Sequence, residues 1–488
     1  MGFDVTDTGI ELRPDHHRVI TRLFVPGIED VGPGDSRAGG VLQRIMQLPE
    51  SDVVAAMADI DERFGNRHRD LHGTFRRHAG QLKSHMVTEE TVSEARRLLI
   101  GAVFTHECSI EGAALCNPSI VLLPDDDRAD GRRFVMSVRG IGEGHRSSIG
   151  FRTGAVGVDG EVSMDANGRF PATGEVSAGI HRRAVVHLHL DDLGDDSGNA
   201  AFVLDGTGEE FDEEQLSLRR DALRAEHSTR RNTDVTISHL DAIARSSYRL
   251  RFDPTTAVSE RVLWPHAPAE AQGMEDARFV HFVDDDGSAT YYATYTAFDG
   301  SVISQHMLQT DDFTTFDVSP TAGAAAHGKG LALFPRKIGG RYAALSRSDR
   351  ESNSIAFSDD IRCWPTSVQI QVPEQTWDML QLGNCGSPIE TDAGWLVLTH
   401  GVGAMRTYAI GAILLDLDDP SIVLGCTDRP LMTPDARRRD GYVPNVLYSC
   451  GGVAVGDHLV LPYGIGDQTI GIATMSITAV IESMRPAR

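Results

Sequence analysis

Basic residues are scarce in this 488-residue chain: 46 Lys and Arg stand against 70 Asp and Glu, a net charge of −24. That acid excess argues against a nucleic-acid backbone as partner, since phosphate binding of that kind rests on a basic face. The six cysteines (Cys108, Cys116, Cys363, Cys385, Cys426 and Cys450) show no Cys-x-x-Cys and no metal-type spacing. Reduced thiols are therefore expected. The first residues lack an apolar signal core, so the expected location is the cytoplasm, away from membranes. Met1-Gly2 through Thr6 fits a myristoylation pattern formally, but without basic neighbours to reinforce it. A phosphate loop, an H-E-x-x-H helix and a nucleophile elbow are all missing, and Gly142-Glu143-Gly144 is too short to cradle phosphate. The acidic runs Asp125–Asp127 and Asp284–Asp286 read as solvated turns rather than calcium loops, and no metal is expected.

What is present is enough apolar sequence, 41% of residues, to bury a large core. Residues 1–106 read as a helical region. Ser51 stands where it can cap a helix carrying Val53, Val54, Met57, Ile60 and Phe64, and Thr91-x-x-Glu94 resembles a capping box ahead of Leu98 and Leu99. From Cys116 onward the texture changes to short β-branched and aromatic runs broken by Gly and Asp.

One turn–strand unit recurs. It begins at Gly131, Gly287, Gly340, Gly394 and Gly456, the later copies roughly 50–60 residues apart, near the period of propeller blades. About twenty residues before each copy lies a second strand with a polar head: Asn117-Pro118-Ser119, Glu275-Asp276-Ala277-Arg278, Lys329-Gly330, Gly386-Ser387 and Pro444-Asn445. The fold expected is mainly β, a five-bladed β-propeller over residues 107–488 with an N-terminal α-helical region. In a propeller the inner strands face a central channel, where these polar heads converge. Residues 209–234, acids first and bases last, read as a helical insertion.

Several stretches then carry a resemblance. Asn117-Pro118-Ser119-Ile120-Val121, Gly273-Met-Glu-Asp-Ala-Arg278, Thr294-Tyr-Thr-Ala297, Lys329 with Leu333-Phe-Pro335, Gly383-Asn-Cys-Gly-Ser-Pro-Ile389, His400-Gly401, Gly441-Tyr-Val-Pro-Asn445 and Tyr463-Gly464 with Asp467 occur in one order. From about residue 100 to the C-terminus the chain resembles glycoside hydrolase family 130, the β-mannoside phosphorylases and β-mannosidases. The resemblance implies the five-bladed propeller again. It also implies inverting cleavage of a β-mannoside, with phosphate as co-substrate, no other cofactor, and mannose 1-phosphate as product.

The family acid maps onto Asp276, which protonates the glycosidic oxygen through a sugar hydroxyl; an acid without a paired nucleophile suits inversion. Glu275 and Arg278 stand beside it, and Asn117, Asn384, His400, Asn445 and Asp467 are candidate hydroxyl-binding groups. Tyr295, Trp395 and Tyr463 are candidate stacking faces. Lys329 matches a family phosphate-binding lysine; Arg139, His145, Arg152 and Arg347 are further candidates for the anion. The chain departs from the phosphorylase pattern in having no arginine between Arg278 and Arg336. A β-mannosidase that uses a Glu base on water therefore stays open, with Glu107, Glu111, Glu143 and Glu390 available, as does a non-enzymatic propeller that binds a partner. The helical region is expected to supply an oligomer contact or a wall of the acceptor site.

Overall fold

The computed structural model describes residues 4–26, 37–82, 92–124, 131–195, 197–226 and 230–487. The chain divides into two compact units. One comprises residues 16–110 with 169–172, the other residues 1–15, 111–168 and 173–488. The helical region thus starts later and ends later than the sequence suggests. Residues 6–12 form a strand of the other unit instead, paired with Thr469–Ser476.

In the smaller unit, helices Arg37–Gln47, Glu50–Phe64, Leu71–Gln81 and Glu94–Val103 pack with the strand pair Val19–Leu23 and Thr105–Ser109. Val53, Met57, Phe75, Leu98, Leu99 and Phe104 share its core. Ser51 lies inside its helix rather than capping it, because Pro49, a residue suited to a helix start, holds the cap position. Thr91 lies outside the described residues, and Ser93 caps the following helix by accepting from the Arg96 amide at 3.1 Å. Met1-Gly2 and Asp125–Asp127 also lie outside the described residues, whereas Asp284 meets the Lys337 ammonium at 2.7 Å.

The larger unit is mainly β and consists of five consecutive antiparallel meanders. The first runs Ala114–Leu122, Arg132–Ile141, Ser147–Val156 and Val162–Met164. The second runs Gly273–Val283, Ala289–Phe298, Ile303–Thr310 and Thr315–Pro320. The third runs Ala332–Leu333, Tyr342–Ser346, Asn353–Ser358 and Ser367–Gln371. The fourth runs Gln381–Asn384, Gly394–Val402, Tyr408–Leu415 and Val423–Cys426. The fifth runs Leu447–Tyr448, His458–Ile465 and Thr469–Ser476, and is completed by Thr6–Leu12. Each recurring turn–strand copy is the second strand of its meander, and the polar heads lie at or beside the first.

The apolar clusters follow a cyclic order. Val121, Val135 and Phe151 pack with Met274, Phe279 and Tyr295, joining the first meander to the second. Val280 and Met307 pack with Leu333 and Ala344, and Phe334 and Ile355 with Trp395 and Ile413. Leu398 and Ile410 pack with Leu461 and Ala473, and Val460 and Ile472 return to Leu115 and Met136. Strands buried on both faces, such as Gly394–Val402, read as continuous apolar runs for this reason.

Between the first two meanders the insertion is larger than residues 209–234. Helices Arg183–Asp192, Ser197–Leu204, Glu213–Ala225 and Thr233–Arg245 share one core around Leu190, Leu216 and Leu240. The capping box of Asp212 with Gln215 marks the third of these. Val186-His-Leu-His-Leu190 alternates like a strand, and burial of Val186 and Leu190 overrides that local pattern.

Candidate functional site

Two first strands carry the same local device. In Ala114–Leu122 the pairing skips between Cys116 and Ser119, and in Gly273–Val283 between Glu275 and Arg278. Each skip is a β-bulge, and the residue inside it turns left-handed: Asn117 at φ 47° and Asp276 at φ 55°. Asn and Asp tolerate this region better than other side chains, and a bulge re-aims a side chain out of the ladder. Asn445 (φ 62°) and Asp467 (φ 47°) adopt the same conformation in the fifth meander.

A cavity of about 480 Å³ gathers much of what the sequence singles out. Asn117, Arg139, Glu275 and Asp276 line it from the first two meanders, joined by Lys329, Arg347, His400 and Asp467. The Arg139 guanidinium is fully engaged. Its Nε donates to Ser147 Oγ at 2.9 Å, one terminal nitrogen to Asp276 Oδ1 at 3.2 Å and the other to Glu275 Oε1 at 2.6 Å. Lys329 Nζ stands 3.6 Å from the second Glu275 oxygen. Arg278 lies beneath the cavity: it donates to the Asp276 carbonyl and to the Tyr448 hydroxyl, both at 2.8 Å, and so fixes the bulge.

Arg347 behaves differently. Its partners are the Arg350 carbonyl at 2.8 Å and His400 Nε2 at 3.2 Å, and among the described residues its buried Nε has no partner and no carboxylate lies within ion-pair distance. Burial, followed by the nearby Arg347 and Arg278 charges, holds His400 well below its ordinary value, so the imidazole is neutral. The Asn117 side-chain oxygen, which lines the cavity, is also buried without a partner among the described residues. Buried polar groups left open in this way are what a polyhydroxylated ligand would satisfy.

Titration separates the carboxylates. Burial pushes Asp276 upward, but the opposing pull of Arg139, Lys329 and Arg278 wins and leaves it below the ordinary carboxylate range. Asp467 is pushed up to about 6 by burial, with Asp276 and Glu275 adding to the rise and Arg139 and Arg406 resisting it. Near pH 6 the cavity therefore contains an ionised Asp276 and an Asp467 close to its midpoint.

Other candidates sit elsewhere. Arg152 forms a buried ion pair with Glu111 at 2.9 Å, and His145 meets the Tyr442 hydroxyl at 3.0 Å; neither lines the cavity. Tyr295 is a core residue with its hydroxyl on Glu270, and Trp395 and Tyr463 are likewise buried, so none offers a stacking face. Asn384 and Asn445 do not line the cavity; the Asn445 backbone holds the Tyr408 amide at 2.9 Å. Of the glutamates considered as bases, Glu107 pairs with Arg67 and His68, Glu111 with Arg152, and Glu390 with Arg336. Neither these nor Glu143 lines the cavity, where Glu275 is the one glutamate among the described residues. No metal-holding cluster of His, Cys, Asp and Glu occurs among the described residues.

Sequence reasoning missed Arg350, Gln381, Arg406, Tyr408 and Tyr448, all of which line the cavity. The one available signal was position: Arg406 follows the strand that ends after His400, as His145 follows the strand that contains Arg139.

The family model described as beta-1,4-mannooligosaccharide phosphorylase, glycoside hydrolase family 130, matches residues 237–486. A 1,2-beta-oligomannan phosphorylase of Thermoanaerobacter sp. (strain X514) is 34% identical over 212 residues, 43% of this chain and 70% of that protein. A beta-1,2-mannobiose phosphorylase of Listeria innocua is 31% identical over 229 residues, 46% and 63% of the two chains. The structure of a Listeria innocua beta-1,2-mannobiose phosphorylase in complex with beta-1,2-mannobiose aligns over 77% of this chain and 93% of that one, at 19% identity and a TM-score of 0.46.

Proposed function

The chain belongs to glycoside hydrolase family 130, and from that premise we propose that it is an inverting phosphorylase of β-mannosides, working in the cavity around Asp276. The observation that carries this reading is the pairing, in one cavity, of a carboxylate wall with cations that have no counter-ion. Arg347 is the clearest of these, because a half-buried guanidinium with no carboxylate beside it among the described residues is favourable ground for an arriving anion.

Phosphate, held by Arg347, Lys329 and the neutral His400, attacks the anomeric carbon from the face opposite the departing sugar. The bond from that carbon to the glycosidic oxygen breaks as the new carbon–oxygen bond to phosphate forms. The departing oxygen takes its proton from Asp276, by way of a sugar hydroxyl. Asp276 is ionised before substrate binds, so it takes up this proton from solvent on binding. A phosphate dianion supplies the means, since it offsets the Lys329 charge, one of those that hold the Asp276 carboxyl down. Asn117 and Asp467 bind hydroxyls, and Arg139 holds Glu275 and Asp276 in register rather than binding phosphate.

A five-bladed β-propeller is part of the same proposal. The five meanders and the cyclic order of their apolar clusters support it, each meander serving as one blade. Cytoplasmic residence is part of it too, supported by six free cysteines; no helix among the described residues is long and apolar enough to cross a membrane. The hydrolase reading finds no glutamate base among its four candidates in the cavity.

The test is to incubate the protein with β-1,2- and β-1,4-mannobiose, with and without inorganic phosphate, and to assay mannose 1-phosphate and free mannose. Phosphate-dependent mannose 1-phosphate is the expected product. Mannose formed equally well without phosphate would overturn the phosphorylase assignment in favour of hydrolysis.

A further inference from the structure

The cavity holds more positive charge than phosphate needs. Five cationic side chains, Arg139, Lys329, Arg347, Arg350 and Arg406, share it with three carboxylates, Glu275, Asp276 and Asp467. In the reactive state Asp276 carries its proton, and Asp467, pushed up to about 6, carries one only in the acid range. A phosphate dianion and the Glu275 carboxylate then leave two cations unmatched below about pH 6 and one above it.

Those two are identifiable. Arg350 and Arg406 are exposed at the cavity, and neither has a carboxylate within ion-pair distance among the described residues. Exposed arginines elsewhere in this acid-rich chain find acids readily: Arg249 pairs with Asp317 and Arg76 with Glu94. The acid beside Arg350 is occupied otherwise, because Asp349 accepts from the Glu351 and Ser352 amides, each at 3.0 Å, and so closes its own turn.

The backbone adds a second, independent observation. Arg350 has φ 69°, and Met405 and Arg406 have φ 56° and 54° in succession. A turn with two positive φ values ordinarily takes Gly, Asn or Asp. The matching turn of the first meander uses Gly144 before His145, both also at positive φ. Placing Met and Arg there strains the backbone, and strain of that kind collects at ligand-binding positions.

We infer that the acceptor side of the cavity takes a sugar bearing an anionic group, a carboxylate or a phosphate, recognised by Arg350 and Arg406. The inference rests on the phosphorylase reading above and extends it to the substrate class. Arginine suits the role because its planar fork pairs bidentately with either anion.

The test runs the reaction in the synthetic direction with mannose 1-phosphate as donor. Mannose, glucose and N-acetylglucosamine serve as neutral acceptors; mannuronate, glucuronate and mannose 6-phosphate serve as acidic ones, with released inorganic phosphate as the readout. Acidic acceptors are expected to exceed their neutral counterparts by at least ~10-fold in kcat/KM, the tenfold that a single charge-assisted contact supplies. The acidic-to-neutral ratio should fall toward one in R350Q and R406Q, and comparison of the uronates with mannose 6-phosphate distinguishes carboxylate from phosphate. Equal use of neutral and acidic acceptors, or a ratio unchanged in both variants, would overturn the inference and leave the phosphorylase reading standing. No phosphate release with any acceptor, together with no phosphorolysis of either mannobiose, would overturn both.

Discussion

Replacing Asp467 with Asn removes a proton-binding site that the folded protein tunes and the unfolded chain does not. Asp467 sits in the turn after His458–Ile465 at φ 47°, beside Asp276, Glu275, Arg139 and Arg406. Burial, reinforced by the two acids, raises its carboxyl from an ordinary 3.8 to about 6. Between those values the folded state holds a proton that the unfolded state has released, so stability falls as pH rises. The contribution is fully present below about pH 4 and lost above about pH 6. A rise of about two pH units corresponds to ~3 kcal/mol, and partial exposure of the side chain to cavity water trims this to about 2 kcal/mol.

Asparagine keeps the shape and cannot titrate. The unfolding free energy of the wild type minus that of Asp467→Asn should therefore fall by about 2 kcal/mol between pH 4 and pH 7. Denaturant unfolding at half-unit pH steps, followed by tryptophan fluorescence, measures it. A difference that stays flat across this window, or that grows with pH, would refute the assignment of a raised carboxyl at this position.

Asp276→Asn should lower phosphate-dependent turnover by about 10²–10⁴-fold, the usual worth of a positioned acid, with the unfolding midpoint near that of the wild type. Arg347→Gln should raise the KM for phosphate by about 10–100-fold while changing the mannoside KM much less, as separate initial-rate series in each substrate would show. Arg152→Met leaves Glu111 charged and buried, and should cost about 3–5 kcal/mol of stability with little change in phosphate KM. Met405→Gly relieves a positive φ at an exposed position and should raise stability by about 0.5–1 kcal/mol in thermal unfolding.

Much of the larger unit was legible because its signals are local. A Gly-initiated β-branched run repeated five times marks the second strand of each meander, since a strand buried on both faces must be apolar throughout. The polar heads Asn117 and Glu275-Asp276 were legible for the complementary reason: polar residues interrupting such a run need a place to go. The same logic failed for Tyr295, whose polar tip is satisfied by Glu270 inside the core, twenty-five residues back in the chain. It failed for Arg152 too, because a motif's neighbourhood does not reveal that Glu111 waits across the sheet.

By itself, then, the sequence determined the recurring turn–strand unit, the Glu275-Asp276 motif and the family, because each is written in short stretches of neighbouring residues. Only the tertiary structure decided which cations serve the cavity. Lys329, Arg406 and the turn that holds both Arg347 and Arg350 are far apart in the chain, and a one-dimensional pattern cannot distinguish an arginine facing a carboxylate from one facing a cavity. The charge state of the site lies beyond the sequence for the same reason. Asp276 and Asp467 are chemically identical in the chain, and it is the folded arrangement of Arg139, Lys329 and buried surface around them that lowers the one carboxyl and raises the other to about 6.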